Sequence, residues 1–135
     1  MAHPLTTNAQ YPYTSGNGVT GFCNTSLQNQ GTNKVTGYNV VTSGSCSDLQ
    51  NTVAQQPTSV CVDASTWQNY QSGIFSNCGT QIDHCVLAVG YVEGSYWYIQ
   101  NQWTTSWGEK GFIQLAWGNT CAVCQQAQIP TVPTN

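Results

Sequence analysis

The sequence predicts a mainly β fold with one short helix, of the α+β class, arranged as an antiparallel, barrel-like sheet. Three observations carry that expectation. Short apolar and β-branched runs recur along the 135 residues, with turn residues between them. Only residues 47–56 show clear helical spacing of apolar side chains. Five tryptophans, seven tyrosines and three phenylalanines argue for a packed core, because disordered chains are usually aromatic-poor.

Taken in order, residues 1–33 are rich in Thr, Asn, Gln, Gly and Pro and read as loop. Val35–Thr42 is apolar and β-branched, hence a strand. Ser47 or Asp48 can cap a helix running to Gln56, with Leu49 and Val53 four apart on one face and Pro57 as its stop. Thr58–Val62 is a strand, Trp67–Gln71 a helical turn, and Gly73–Phe75 a short extended piece before a turn around Asn77-Cys78-Gly79. Cys85–Val92 reads as a buried strand, Glu93-Gly94-Ser95 as a hairpin turn, Tyr96–Gln102 as the returning strand, and Gly111–Trp117 as another. No internal repeat and no linker divides the chain, so residues 1–135 are expected to form one domain.

Composition excludes some functions. Charged residues make up 5% of the chain, with two lysines and no arginine, so there is no basic patch to hold phosphates and nucleic acid is not an expected partner. No apolar run approaches the roughly 18 residues that span a bilayer. Seven cysteines, at 23, 46, 61, 78, 85, 121 and 124, are many for this length. Only Cys121 and Cys124 have C-x-x-C spacing and no second pair answers them, so a disulfide framework is expected rather than a metal site. That implies an oxidising compartment. Asn24-Thr25-Ser26 is a glycosylation sequon that fits the same setting. The odd cysteine count leaves one thiol free or bonded outside the chain. No signal-peptide pattern follows Met1, which is expected to be either the residue left after a targeting segment is removed or an internal residue exposed by cleavage.

Several segments, in order, resemble the second half of the papain and cathepsin L family of cysteine proteases. Gln56-Pro57-Thr58-Ser59-Val60-Cys61-Val62-Asp63-Ala64 is similar to the family's QPVSVAIDA. Asp83-His84-Cys85-Val86-Leu87-Ala88-Val89-Gly90-Tyr91 is similar to DHAVLAVGY. Residues 96–113, from Tyr96-Trp97 through Asn101-Gln102-Trp103-Thr104-Thr105-Ser106-Trp107-Gly108 to Phe112-Ile113, resemble YWIVKNSWGTSWGEKGYI. Tyr11-Pro12-Tyr13 matches the YPY that opens this half, and Cys121-Ala122-Val123 the closing CGI. The likeness covers about residues 5 to 133 and implies the papain-like right-hand domain, with the helical left-hand domain absent from this sequence.

The resemblance implies a chemistry and its residues. In this family a thiolate attacks the peptide carbonyl, and a histidine partners the thiolate and then protonates the leaving amine. His84 stands at the histidine position and Asn101 at that of the asparagine that orients the ring. Outside its motif a lone histidine would more often be a packing residue. Trp103 and Trp107 stand where indoles shield the histidine–asparagine bond. The pocket for the second residue before the cut matches Cys61, Ile82, Asp83, Cys85 and Gln126. Ile82 on its wall and neutral Gln126 at its base imply apolar or uncharged side chains there. Cys78 and Cys121 occupy the positions of a family disulfide within this half, and Cys23 that of a bond to the first half. Cys61 and Cys85 replace small residues on neighbouring strands and are expected to bond to each other, leaving Cys46 and Cys124 paired or free. Neither cofactor nor metal is implied. Peptides and proteins are the implied substrates, and the secreted or lysosomal space is the implied location.

The family's nucleophilic cysteine, in a motif like QGxCGSCW, has no counterpart in this sequence, so it is expected on a missing or separate chain. Cys85 adjoins His84, but successive side chains on a strand face opposite ways, which argues against it as a substitute. The family's Asn-Ser-Trp-Gly is Asn101-Gln102-Trp103-Thr104 here, and a threonine is awkward where the backbone needs a positive φ. Two other readings stand beside the protease. One is a noncatalytic structural or assembly homologue that keeps the fold. The other is an independent all-β binding domain, whose apolar docking face would drive association.

Overall fold

A strand buried on one face turns every second residue inward, and that period organises the core of this protein. A computed structural model describes residues 4–32 and 34–132. They fall into two compact units, one of residues 40–129 and one of residues before 40 together with those from 130 on.

In the smaller unit, most of the described residues up to Gln30 lack regular structure, as their composition predicts. A single helical turn stands among them, α1 (Thr25–Gln28), which forms because the Asn24 side chain accepts from the backbone N–H groups of Ser26 and Leu27. Asn24 N–H in turn donates to the Tyr11 hydroxyl at 2.7 Å. Strand β1 (Gly37–Val40) is shorter than the 35–42 run expected. Beside it the Thr36 N–H donates to the Thr131 carbonyl.

In the larger unit, helix α2 (Cys46–Val53) starts one residue ahead of the expected Ser47 or Asp48 cap. Ser45 is the cap instead, its hydroxyl accepting from the Asp48 N–H, and Asp48 adds a favourable charge in the first turn. Leu49 and Val53 are the buried face. The strands that follow are β2 (Thr58–Val62), β3 (Ile74–Phe75), β4 (His84–Val92), β5 (Tyr96–Gln100), β6 (Phe112–Ala116) and β7 (Gln126–Thr131). Trp67–Asn69 forms a short 3-10 turn between β2 and β3, and Cys78 N–H bonds the Ser76 carbonyl to close a tight turn about Asn77.

The sheet order is β1-β7-β2-β4-β5-β6-β3, and the sheet is not closed into a barrel. The β2–β4, β2–β7, β4–β5 and β5–β6 pairs are antiparallel; β3 and β6 are parallel. No strand was expected past residue 117. Gln126-Ala127-Gln128-Ile129-Pro130 carries little β signal and a proline, yet the unpaired edge of β2 supplies partners for it, and tertiary pairing overrides propensity. Inward residues Val60, Val62, Val86, Ala88, Trp97, Ile99, Ile113 and Leu115 form the core with Leu49 and Trp67. Three disulfides tie its margins: Cys46–Cys124, Cys61–Cys85 and Cys78–Cys121. Among the described residues no helix is long and apolar enough to cross a membrane.

Candidate active site

His84 is the first residue of β4, and the chain is fixed just ahead of it. Asp83 N–H donates to the Val62 carbonyl at 3.0 Å, and the Asp83 carboxylate accepts from the Ala64 N–H at 2.8 Å. Val62 and His84 then form the end pair of the β2–β4 ladder. By the strand period His84 shares the face of Val86 and Ala88, which point into the core. At the strand end that face gives way to a cluster of aromatic rings, and the imidazole lies half-buried among them.

Asn101 follows β5 directly and is buried, with its N–H bonded to the Gly111 carbonyl. Its Oδ1 accepts from the Gln102 N–H at 2.9 Å. An amide nitrogen could not accept there, so this bond fixes which way the side chain points. The same Oδ1 lies 2.9 Å from His84 Nε2, so Nε2 must carry the proton and donate. In the neutral ring the lone pair is then on Nδ1, and no hydrogen bond reaches that atom from the described residues. Orientation and tautomer of the imidazole thus follow from one backbone N–H.

The rings hold this bond away from water. Trp103 stacks on His84 with centroids 5.2 Å apart, and Trp67 meets the imidazole edge-on at 6.3 Å. Trp107 packs against both indoles, and its own N–H donates to the Trp67 carbonyl. Excluding water lowers the local dielectric and strengthens the bond. Asn101 Nδ2 and Trp67 Nε1 are buried without a hydrogen-bond partner among the described residues, each costing on the order of 1–3 kcal/mol. Asn101 is therefore held for what its oxygen does, at the expense of its nitrogen.

The other residues singled out from the sequence fall in two places. Gln126, Cys61 and Cys85 lie in one cross-strand row over β7, β2 and β4, and Cys61 and Cys85 are bonded. Cys85 faces away from His84 and carries no thiol. Ile82 is half-buried and Asp83 exposed, both just ahead of His84. A cavity of about 250 Å³ opens on the Cys85 side, lined by Ser59, Leu87, Gln100 and Gln102 among others. In the other unit Cys23 is exposed and is the one free cysteine among the described residues. It borders a cavity of about 360 Å³ lined by Tyr11, Pro12, Tyr13 and Phe22. Asn24 is exposed beside it.

Three participants were not read from the sequence. Trp67 was seen only as part of a turn. The role of Gln102 lies in its backbone, which no residue type announces. Asp63 is buried and gathers the segment leading to β4: it accepts from the Ser65 hydroxyl and N–H and from the Gln81 N–H. The Ser65 hydroxyl, opposed by burial and helped by backbone N–H groups, holds its carboxyl below the usual aspartate range. Thr104 does adopt a positive φ, of 69°.

The family model described as papain family cysteine protease matches residues 1–131. Over 138 residues the chain is 43% identical to a cathepsin L-like proteinase of Fasciola hepatica, covering 95% of this chain and 41% of that protein. It is 39% identical over 120 residues to cathepsin L 1 of Paramecium tetraurelia, covering 89% of this chain and 36% of that protein. The chain thus spans about two-fifths of the length of such relatives. Among solved structures it superposes on bromelain protease from Ananas comosus in complex with the E64 inhibitor with a TM-score of 0.83 and 32% identity, covering 97% of this chain and 64% of that one. For the Carica candamarcensis cysteine protease CMS1MS2 in complex with E-64 the values are 0.82 and 38%, covering 94% and 62%.

Proposed function

The chain belongs to the papain family of cysteine proteases, and from that membership we propose that it is the histidine- and asparagine-bearing half of a cysteine-type endopeptidase. The supporting observation is the His84 Nε2 to Asn101 Oδ1 bond, oriented by the Gln102 N–H and covered by Trp103. It leaves Nδ1 as the atom available to a thiol. A cysteine from outside these residues gives its proton to Nδ1, and the thiolate attacks the peptide carbonyl. The Nδ1–H then protonates the departing amine, leaving an acyl-enzyme that water, deprotonated by the same nitrogen, hydrolyses. Asn101 holds the Nε2–H and the ring orientation through both steps, and Trp103 and Trp107 keep water from that bond.

The half that carries the nucleophile docks, in this reading, on the face around Cys23 and forms a disulfide with it. Phe22 is fully exposed there and Tyr13 largely so, a cost that docking would remove. Ile82 and neutral Gln126 favour an apolar or uncharged residue second before the cut. Three disulfides, the Asn24 sequon and the family suit a secreted or lysosomal glycoprotein.

Mass spectrometry with and without reduction, followed by sequencing of any chain released through Cys23, tests the two-part assembly. In the complete protease His84→Ala should lower kcat/KM by about 10²–10⁴-fold, and Asn101→Ala by less. Undiminished peptide cleavage in His84→Ala would remove the proposed role. A nucleophile position filled by serine or glycine would point to a noncatalytic homologue instead.

A further inference from the structure

We propose that the Cys61–Cys85 disulfide is a reducible clamp on the His84 end of β4, holding the imidazole in line with Asn101, so that opening it selectively lowers turnover. The proposal rests on the reading of His84 as the catalytic histidine.

His84 is bracketed by two locked neighbours. On one side Asp83 is bonded to Val62 and Ala64 through its N–H and its carboxylate. On the other side Cys85 is bonded covalently to Cys61, directly across the ladder, and its carbonyl accepts from the Gln102 side chain at 3.2 Å. Gln102 is also the residue whose N–H fixes the Asn101 amide. The disulfide therefore fixes the residue next to the imidazole to β2, and a hydrogen bond from Gln102 ties that same residue's carbonyl to the loop that orients the ring. Val62–His84 is the end pair of the ladder, where strands fray most readily, so a covalent tie one pair inward has its greatest effect there.

Access distinguishes this disulfide from the others. Cys124 and Cys121 are 1% and 2% exposed, and each buries one end of its bond in the core. Cys85 is exposed and Cys61 half-buried. A dithiol can reach this pair first. Its thiolate attacks one sulfur and displaces the other as a thiolate, and its second thiol then closes a ring to release the first. The dithiol loses two electrons and two protons to become a cyclic disulfide, and Cys61 and Cys85 each gain one electron and one proton.

The test is a dithiothreitol titration of the chain, with trapped thiols mapped by mass spectrometry and the His84 ring followed by NMR. Cys61 and Cys85 should be trapped together before any of the four other bonded cysteines. At that stage solvent exchange of the His84 Nε2 proton should quicken by about tenfold or more, while the amides of Trp97 and Ile99 stay protected. Earlier opening of Cys46–Cys124 or Cys78–Cys121, or an unchanged Nε2 proton once Cys61 and Cys85 are free, would overturn the clamp. In the complete protease, Cys61→Ser with Cys85→Ser should lower kcat at saturating substrate by about ten- to a hundredfold, apart from any change in KM through the pocket these residues line. Unchanged kcat there would also overturn the proposal. A complete protease inactive with the disulfide closed would refute the catalytic reading, while the NMR result would still decide whether the clamp exists.

Discussion

Thr104 holds a left-handed backbone that β-branched residues avoid, with φ at 69°. Its hydroxyl offsets part of that strain, lying 2.7 Å from the Ser106 hydroxyl and accepting from the Ser106 N–H. Thr104→Gly removes both the strain and these bonds, and it loosens the unfolded chain. The net expectation is a gain of about 1 kcal/mol, read as a higher urea midpoint with an unchanged slope. The site was legible because the matched motif has glycine there; Ala122, with φ at 64°, stands at the glycine of the closing motif in the same way. Asp63 was not legible, because its partner Gln81 comes 18 residues later and no pattern links them. Its carboxyl is held below the ordinary value of about 3.9, so the folded chain binds fewer protons than the unfolded chain in that range. The stability it contributes is complete above that ordinary value and is lost as pH falls through the lower, folded one. Asp63→Asn should flatten the acid side of the stability profile between those limits, measured by denaturant midpoints from neutral to acidic pH. A parallel fall at every pH would contradict it.

Between β5 and β6 a connection of eleven residues carries Asn101, Trp103 and Trp107, and its course depends on Gly108. There φ is 56°, and a Cβ would sit 2.6 Å from the Phe112 carbonyl oxygen and 2.9 Å from the Tyr70 ring. Neither can yield cheaply: the Phe112 carbonyl accepts from the Glu109 N–H, and the Tyr70 hydroxyl donates to the Gly73 carbonyl. Gly108→Ala is expected to cost about 2–4 kcal/mol and to disturb the stacking of Trp103 on His84, seen as a lower thermal midpoint and altered tryptophan fluorescence. Elements differed in how plainly the residues announced them. Val60, Val86, Ile99 and Ile113 alternate with less buried neighbours, and the period is a direct reading of pleat geometry. Strand β7 and the Ser45 cap were hidden for opposite reasons. The strand has a poor pattern and a waiting partner; the helix has three candidate caps in four residues, and only the hydrogen bond chooses between them. The His84–Asn101 pair was legible from family likeness, whereas the ring cluster around it depends on Trp67, which arrives from another part of the chain.

At the scale of the molecule, the longest covalent loop is closed by Cys46–Cys124, 78 residues apart. It joins the start of α2 to the turn that leads into β7. A loop of that length restricts the unfolded chain by about 4–5 kcal/mol in the chain-entropy account, against 3–4 for the 24-residue separation of Cys61 and Cys85. Replacing both Cys46 and Cys124 by alanine should lower stability by about 2–5 kcal/mol, measured by calorimetry, and leave the His84–Asn101 bond in place. Loss of that bond in the variant would mean that the edge of the sheet and the site are one cooperative unit. The position of β7 has a consequence in time. During synthesis β2, β4, β5 and β6 leave the ribosome before β7 and can pair at once, but β2 keeps a bare edge until β7 emerges. For that interval Ser59, Val60 and Cys61 present open backbone groups to any neighbouring nascent chain. Early oxidation of Cys61 with Cys85 would pin β2 to its proper partner while it waits, a chaperone-like service rendered by a bond within the chain itself.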